Sequence, residues 1–261
     1  MVQQVAQIGR STRQQSPDSR GACAPEDADV HASSAEYAKR FAGSTGSWFL
    51  KIQTDILLSM VSTDTESILD IGGGHGQTAI PLHRAGKSVT VLGSSSACTG
   101  QLSREIDAGC VSFKVGNLIE LPYGPRSFDT AVSFRLISHC SNWRILISEM
   151  CRVADHTVIF DYPSWGSVNI CTPLLFRVKR KIEGNTRRYT LFTTSELKRE
   201  FAKHGFRCTS VRKQFFFPMG IHRALRSPAI SRLLEGCAAS FGLTRLLGSP
   251  IIIRFERSPR D

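Results

Sequence analysis

Acidic residues are scarce in this chain: 22 Asp and Glu face 33 Lys and Arg, for a formal net charge of +11. That balance excludes an acidic solvating protein and points to anionic partners, whether nucleic acid, an anionic membrane surface or acidic substrates. Long apolar runs are also missing. None reaches membrane-spanning length and no signal-peptide core follows the start, so a soluble, cytoplasmic protein is expected. The eight cysteines are scattered at positions 23, 98, 110, 140, 151, 171, 208 and 237, with no C-x-x-C pair and no His/Cys grouping at zinc spacing. Neither a disulfide framework nor a metal site is expected; the pattern is that of reduced thiols. No internal repeat is present. What remains, 261 residues of which 41% are hydrophobic, suffices for one large domain with a real core.

The most informative stretch is Ile68-Leu69-Asp70-Ile71-Gly72-Gly73-Gly74-His75-Gly76. A short apolar strand closes on an acid, and glycine then falls at every second position. Glycine has no Cβ and accepts positive φ, so such a turn lets backbone approach a ligand closely. The amides of a following helix would point at that ligand. Two ligand classes use this device in α/β sheets. Gly74, Gly76 and Ala79 satisfy the looser dinucleotide pattern G-x-G-x-x-G/A. Asp70, Gly72, Gly74 and Gly76 satisfy the acid-then-G-x-G-x-G pattern, which suits a cofactor carrying an ammonium and a sulfonium.

Residues 1–33 are rich in Gln, Ser, Asp, Arg and Ala without apolar periodicity, and read as a disordered tail. Phe49, Ile52, Ile56, Leu57 and Met60 then predict a helix leading into the first strand. Strands are predicted at 66–71, 88–92, 111–115, 128–134 and 157–161, separated by helices over 78–85, roughly 97–107, and around Trp143, Leu146, Ile147 and Met150. This alternation implies a parallel sheet covered on both faces. Thr193-x-x-Glu196 is a capping box that opens a further helix, ended by Gly205. Two more strands follow at 206–217 and 250–255. Segments 164–192 and 218–248 break the rhythm and read as insertions on the substrate side of a single domain spanning 34–261.

At its glycine turn the chain resembles the class I S-adenosylmethionine-dependent methyltransferases. A second element, Val115-Gly116-Asn117-Leu118 with Leu121-Pro122-Tyr123 and Ser127-Phe128-Asp129, resembles the type 11, ubiquinone/menaquinone-biosynthesis-like subgroup. The resemblance implies a Rossmann-like fold: a mainly parallel seven-stranded sheet, helices on both faces and a C-terminal antiparallel strand. It implies S-adenosylmethionine as cofactor, with Gly72, Gly74 and Gly76 against its methionine part and Asp70 ordering the amino end. Asn117, in place of the usual Asp, would accept from the adenine amino group, with Leu118 beside it among the cofactor-binding residues. Gly93 stands where the family carries the acid that binds the ribose, so Ser94 is left to face the ribose as a neutral acceptor. Phe128 and Asp129 are read as structural.

Methyl transfer from a sulfonium needs alignment above all. A hydroxyl, thiol or ring-carbon acceptor also needs a base. His139, just after the fourth strand, is the candidate catalytic residue. Asp161 and Tyr162 end the fifth strand where they could face the acceptor. Arg135, Arg187, Arg188 and His222 are candidate grips for an anionic or phenolic group. The expected partner is a small-molecule methyl acceptor, anionic or lipophilic, with peripheral membrane contact an open option. Nucleic acid is not favoured, because Phe134-Arg135-Leu136 replaces the Asn/Asp-Pro-Pro-aromatic signature of base methylases. A nucleic-acid methyltransferase, a catalytically inactive methyltransferase-like binding protein and a dinucleotide oxidoreductase stand as the alternatives.

Overall fold

Short β-branched segments punctuated by glycine become the strands of one sheet. The computed structural model describes residues 27–167 and 189–259. Strands β1 (Ser67–Ile71), β2 (Ser88–Gly93), β3 (Ser112–Val115), β4 (Phe128–Ser133), β5 (Ala154–Tyr162), β6 (Phe206–Phe215) and β7 (Ser249–Arg257) lie in the order β3-β2-β1-β4-β5-β7-β6. β1 to β5 pair in parallel, and β7 runs antiparallel to both β5 and β6. The mainly parallel α/β sheet with an antiparallel C-terminal strand is therefore as expected. Runs such as Ile68-Leu69 and Val158-Ile159-Phe160 are buried throughout, which a sheet covered on both faces demands.

The described helices are α1 (Ala28–Ala32), α2 (Ala35–Ala38), α3 (Gly43–Met60), α4 (Ala79–Arg84), α5 (Ser103–Asp107), α6 (Trp143–Val153), α7 (Thr194–Ala202), α8 (Met219–Leu225), α9 (Pro228–Ser240) and α10 (Leu243–Leu247). On one face Leu57 and Met60 of α3 and Leu82 of α4 pack with Ile68, Val91 and Val132. On the other, Leu146, Ile147 and Met150 of α6 and Phe201 of α7 pack with Leu69, Ala131 and Phe255. The helix ends follow local chemistry: the Glu196 amide donates to Thr193 Oγ1 at 3.2 Å, and Gly86 and Gly205 adopt positive φ just past α4 and α7. Asp129 is structural, as predicted. Its Oδ2 accepts from the amides of Glu66 and Ser67, each at 2.8 Å, and so ties the starts of β1 and β4 together.

Two expectations change. The helix predicted over 97–107 divides into a 3-10 turn, Ser96–Thr99, and α5, with Gly100 capping the first piece. The tail predicted to be disordered through residue 33 contains α1, whose Ala28, Asp29 and Ala32 are buried. So short a helix is not stable alone and is held by what it packs against. Positions 1–26 of the tail and 168–188 of the 164–192 insertion, Arg187 and Arg188 included, lie outside the described residues. Among the described residues no helix is long and apolar enough to cross a membrane. Strand order reverses between β1 and β4, and a crevice at their carboxyl ends is where open α/β sheets bind ligands.

Candidate active site

Two regions meet at that crevice. The first is the glycine turn after β1. Gly72 and Gly76 adopt φ of +75° and +70°. A Cβ on Gly73 would collide with the Asp70 carboxylate, and one on Gly74 with the Cys98 carbonyl oxygen and Ser33 Oγ. The turn therefore rejects side chains at positions of both kinds, through dihedral angle and through space. Asp70 is fully buried behind it and accepts from Thr78 Oγ1, while its Oδ1 has no partner. Burial pushes the Asp70 carboxyl up to about 7, against the pull of Thr78 and Arg135. His75, in the same turn, accepts from the Gln77 amide at 3.1 Å. Burial, then the Arg135 charge, pulls its imidazole down to about 3.

The groove between this turn and the end of β2 is closed by the chain itself. Asp29 of α1 lies across it, its carboxylate accepting from the Ser94 amide at 2.8 Å and from Ser94 Oγ. Cys98 Sγ is 3.3 Å from the same carboxylate, and burial, then Asp29, pushes that thiol up to about 11. A Cβ built on Gly72 would meet Asp29 Cβ at 3.3 Å and Leu136 Cδ2 at 3.2 Å. Ala28 belongs to the apolar cluster that includes Leu118, Ile119 and Leu136. Asn117 turns its Oδ1 onto the Ile119 amide at 3.2 Å. The carboxylate that sits at the end of β2, bonded at Ser94, thus arrives from a different part of the chain.

The second region is a cavity of about 400 Å³ at the ends of β4, β5 and β6. Tyr37, Phe41, Phe49, Tyr189 and Phe215–Phe217 give it aromatic walls; Arg40, Arg135, Arg223, His139 and Asp161 give it charge and polar atoms. Such a mixture of apolar wall and a few convergent polar groups is the usual form of a small-molecule site. Arg135 holds a left-handed backbone at φ +61°, an uncommon conformation for a residue with a side chain. Its amide donates to Asp161 Oδ1 at 2.6 Å, its guanidinium lies 4.3 Å from the centre of the Phe41 ring, and it donates to Gln53 and Gln77. Burial holds the Asp161 carboxyl above its ordinary value although Arg135 opposes it. The His139 ring packs on Tyr189, centroids 5.5 Å apart. Burial, then the charge of Arg40, lowers the Arg223 guanidinium, so two like charges share this cavity.

The predicted residues therefore divide. Asp70, Gly72 and Gly74 of the turn and Ser94 after β2 lie around the closed groove, and Gly76 ends the turn. Asn117 and Leu118 follow β3, with Leu118 in the cluster that holds Ala28, and His139, Asp161 and Arg135 line the open cavity. Tyr162 is buried with its hydroxyl 2.7 Å from Thr194 Oγ1 and does not line the cavity. His222 is not at the cavity surface either: it is fully buried, bonded to Glu235 at 2.9 Å and boxed by Trp48 and Phe49. Sequence reasoning missed Asp29, Gly73, Arg40 and Arg223. Gly73 alone had a signal, its place inside the glycine run.

The family profile described as a methyltransferase domain matches residues 68–156, from β1 into β5. No curated protein matches the sequence. Similar solved structures include magnesium protoporphyrin IX methyltransferase from Synechocystis PCC 6803 with bound SAH, at 15% identity, 87% of this chain, 97% of that chain and TM-score 0.58. Geranyl diphosphate C-methyltransferase from Streptomyces coelicolor A3(2) gives 14%, 79%, 79% and 0.58. The putative methyltransferase bound to the Trm112 activator of Haloferax volcanii gives 18%, 82%, 90% and 0.57. At these identities the structures establish the fold, which is the Rossmann-like methyltransferase fold. The profile match runs from β1 into β5, and the fold around it has class I methyltransferase architecture; the profile matched is the general one, and the finer type 11 assignment is not supported by it.

Proposed function

We propose that the protein is an S-adenosylmethionine-dependent methyltransferase whose acceptor is a small molecule with an aromatic or lipophilic body and an anionic group. One observation carries this reading. Within the matched methyltransferase segment, an acid-then-glycine turn adjoins a cavity of about 400 Å³ lined with aromatic rings and arginines. The residues present fit the donor. The partnerless Asp70 Oδ1 suits an ammonium, and a turn that admits no Cβ suits close approach of a ligand to backbone. Gly72, Gly74 and Gly76 would hold the methionine part, Ser94 the ribose, and Asn117 with Leu118 the adenine. When bound, S-adenosylmethionine supplies a methyl group already activated on a sulfonium.

The chain's own contribution is alignment, exclusion of water and one proton transfer. Aromatic walls orient the acceptor, and Arg40 and Arg223, which both line the cavity, bind its anionic group. A ring nitrogen of His139 takes the proton that the acceptor loses. Arg135 and Asp161 fix the loop that carries His139. In this reading the catalytic domain spans 34–261, and Tyr189, Met219, Gly220 and Arg223 bring parts of the 164–192 and 218–248 insertions to the acceptor side. Because α1 crosses the groove, the donor enters only as α1 leaves.

Calorimetric titration of the full chain with S-adenosylhomocysteine tests the donor half, and saturable heat is expected; none at millimolar ligand overturns the reading. Labelled donor offered with anionic aromatic acceptors tests the other half. With an accepted substrate, Arg40→Ala/Arg223→Ala should raise KM by about tenfold or more and hold kcat, as loss of ground-state binding does.

A further inference from the structure

Helix α9 wears its apolar stripe on the outside. Ile230, Leu233, Cys237 and Phe241 follow one another at intervals of three and four, the spacing of a single helical face. That face is in solvent: Leu233 is 67% and Phe241 80% exposed. The buried positions of the same helix are Ser231 and Ala238, small residues that a core would not choose as its main contact. The stripe continues onto the neighbouring helices, with Ile221 and Leu225 of α8 exposed one turn apart, and Leu246 of α10 66% exposed. Seven of the large apolar side chains exposed among the described residues fall in this one stretch. The three helices pack on one another, and so many exposed apolar side chains on neighbouring helices mark an interaction site.

Charge names the occupant. Residues 219–248 hold four arginines, at 223, 226, 232 and 245, and one acid, Glu235. Glu235 is turned inward, accepting from the amides of Phe216 at 2.9 Å and Phe217 at 3.0 Å and pairing with His222. The outer surface is therefore apolar and cationic. Two copies of it would repel each other, whereas an anionic lipid surface offers both a place for the side chains and counter-charge. Met219, Gly220 and Arg223 of α8 also line the acceptor cavity, so this surface and the cavity share a rim.

We propose that α8, α9 and α10 form a docking face for an anionic lipid bilayer. The side chains of Leu233, Phe241 and Leu246 enter the boundary between headgroups and acyl chains, and Arg226, Arg232 and Arg245 meet the lipid phosphates and carboxylates. Docking sets the rim of the cavity against the bilayer, from which a lipophilic acceptor can reach it. The docking is independent of whether methyl transfer occurs. It is tested by co-sedimentation of the full chain with phosphatidylcholine vesicles, with and without phosphatidylserine. Partition onto the phosphatidylserine vesicles, falling as salt rises, is expected. Leu233→Glu/Phe241→Glu should cut it by at least about tenfold. Both side chains face solvent, so the melting temperature should hold. Failure of the native chain to partition, or equal partition of the variant, overturns the proposal. So does a dimer by light scattering that the same variant dissociates, because the face would then belong to a second copy.

Discussion

The glycine groove and the aromatic cavity share one edge of one sheet and are built on opposite terms. The groove is tight and covered by α1, with a carboxylate from residue 29 bonded at Ser94. The cavity is open, aromatic and crowded with positive charge. The groove is shaped by backbone that cannot be altered, through glycine at positive φ. The cavity is shaped by side chains, whose identity can vary without disturbing the sheet. The groove is specified by what it leaves out, the cavity by what it adds.

The contrast can be broken at its chemical end first. Replacing His139 by Ala should lower kcat by roughly a hundred- to ten-thousandfold if it is the base, while S-adenosylhomocysteine binds as before. Equal loss of ligand binding would move His139 from the cavity's chemistry to the groove's architecture. Next comes the closure of the groove. Asp29→Ala removes the carboxylate that holds α1 on Ser94, and should tighten S-adenosylhomocysteine binding by about tenfold or more, because a competing closed state lowers apparent affinity by the fraction it occupies. Weaker binding would make Asp29 a ligand of the ribose.

In the native chain the smallest effect is in pH, because two opposite contributions nearly cancel. The Asp70 carboxyl, raised to about 7, keeps its proton in the fold after the unfolded chain has lost it. Its contribution is whole below the unfolded value near 3.8 and is lost as pH rises towards 7. His75, lowered to about 3, is neutral in the fold while the unfolded chain protonates from 6.5 downward, so its contribution is whole above 6.5 and is lost as pH falls towards 3. Between about pH 4 and 6.5 the two slopes oppose each other, each at most about 1.4 kcal/mol per pH unit. Thermal melts should therefore show stability rising with pH in Asp70→Asn and falling in His75→Gln. Parallel curves for the two variants would disprove the opposition.

Much of this arrangement could be read along the chain. Apolar strands closed by Asp70 or opened by Phe128, and helix ends at Thr193, Gly86 and Gly205, are local matters of period and capping, and the sheet follows from them. That His139 and Asp161 would face one cavity was legible, because strand ends of an α/β sheet share one edge. Other features were not legible, because each depends on distance in sequence. Asp29 stands far from Ser94 along the chain, in a polar stretch with no helical signal, and only packing makes α1 a helix. His222 resembled a grip for an anion until Glu235 and Trp48 enclosed it. The stripe on α9 has the spacing of a core face, and spacing alone carries no information about which way it looks.

By itself, the order of residues determined the strands, their parallel pairing and the glycine turn, since backbone dihedral preference and alternation act within a few positions. Tertiary structure alone decided which carboxylate sits at the end of β2, which arginines share the cavity and which side of α9 meets water. Those outcomes depend on burial and on charges brought together from remote segments, and no local preference encodes either.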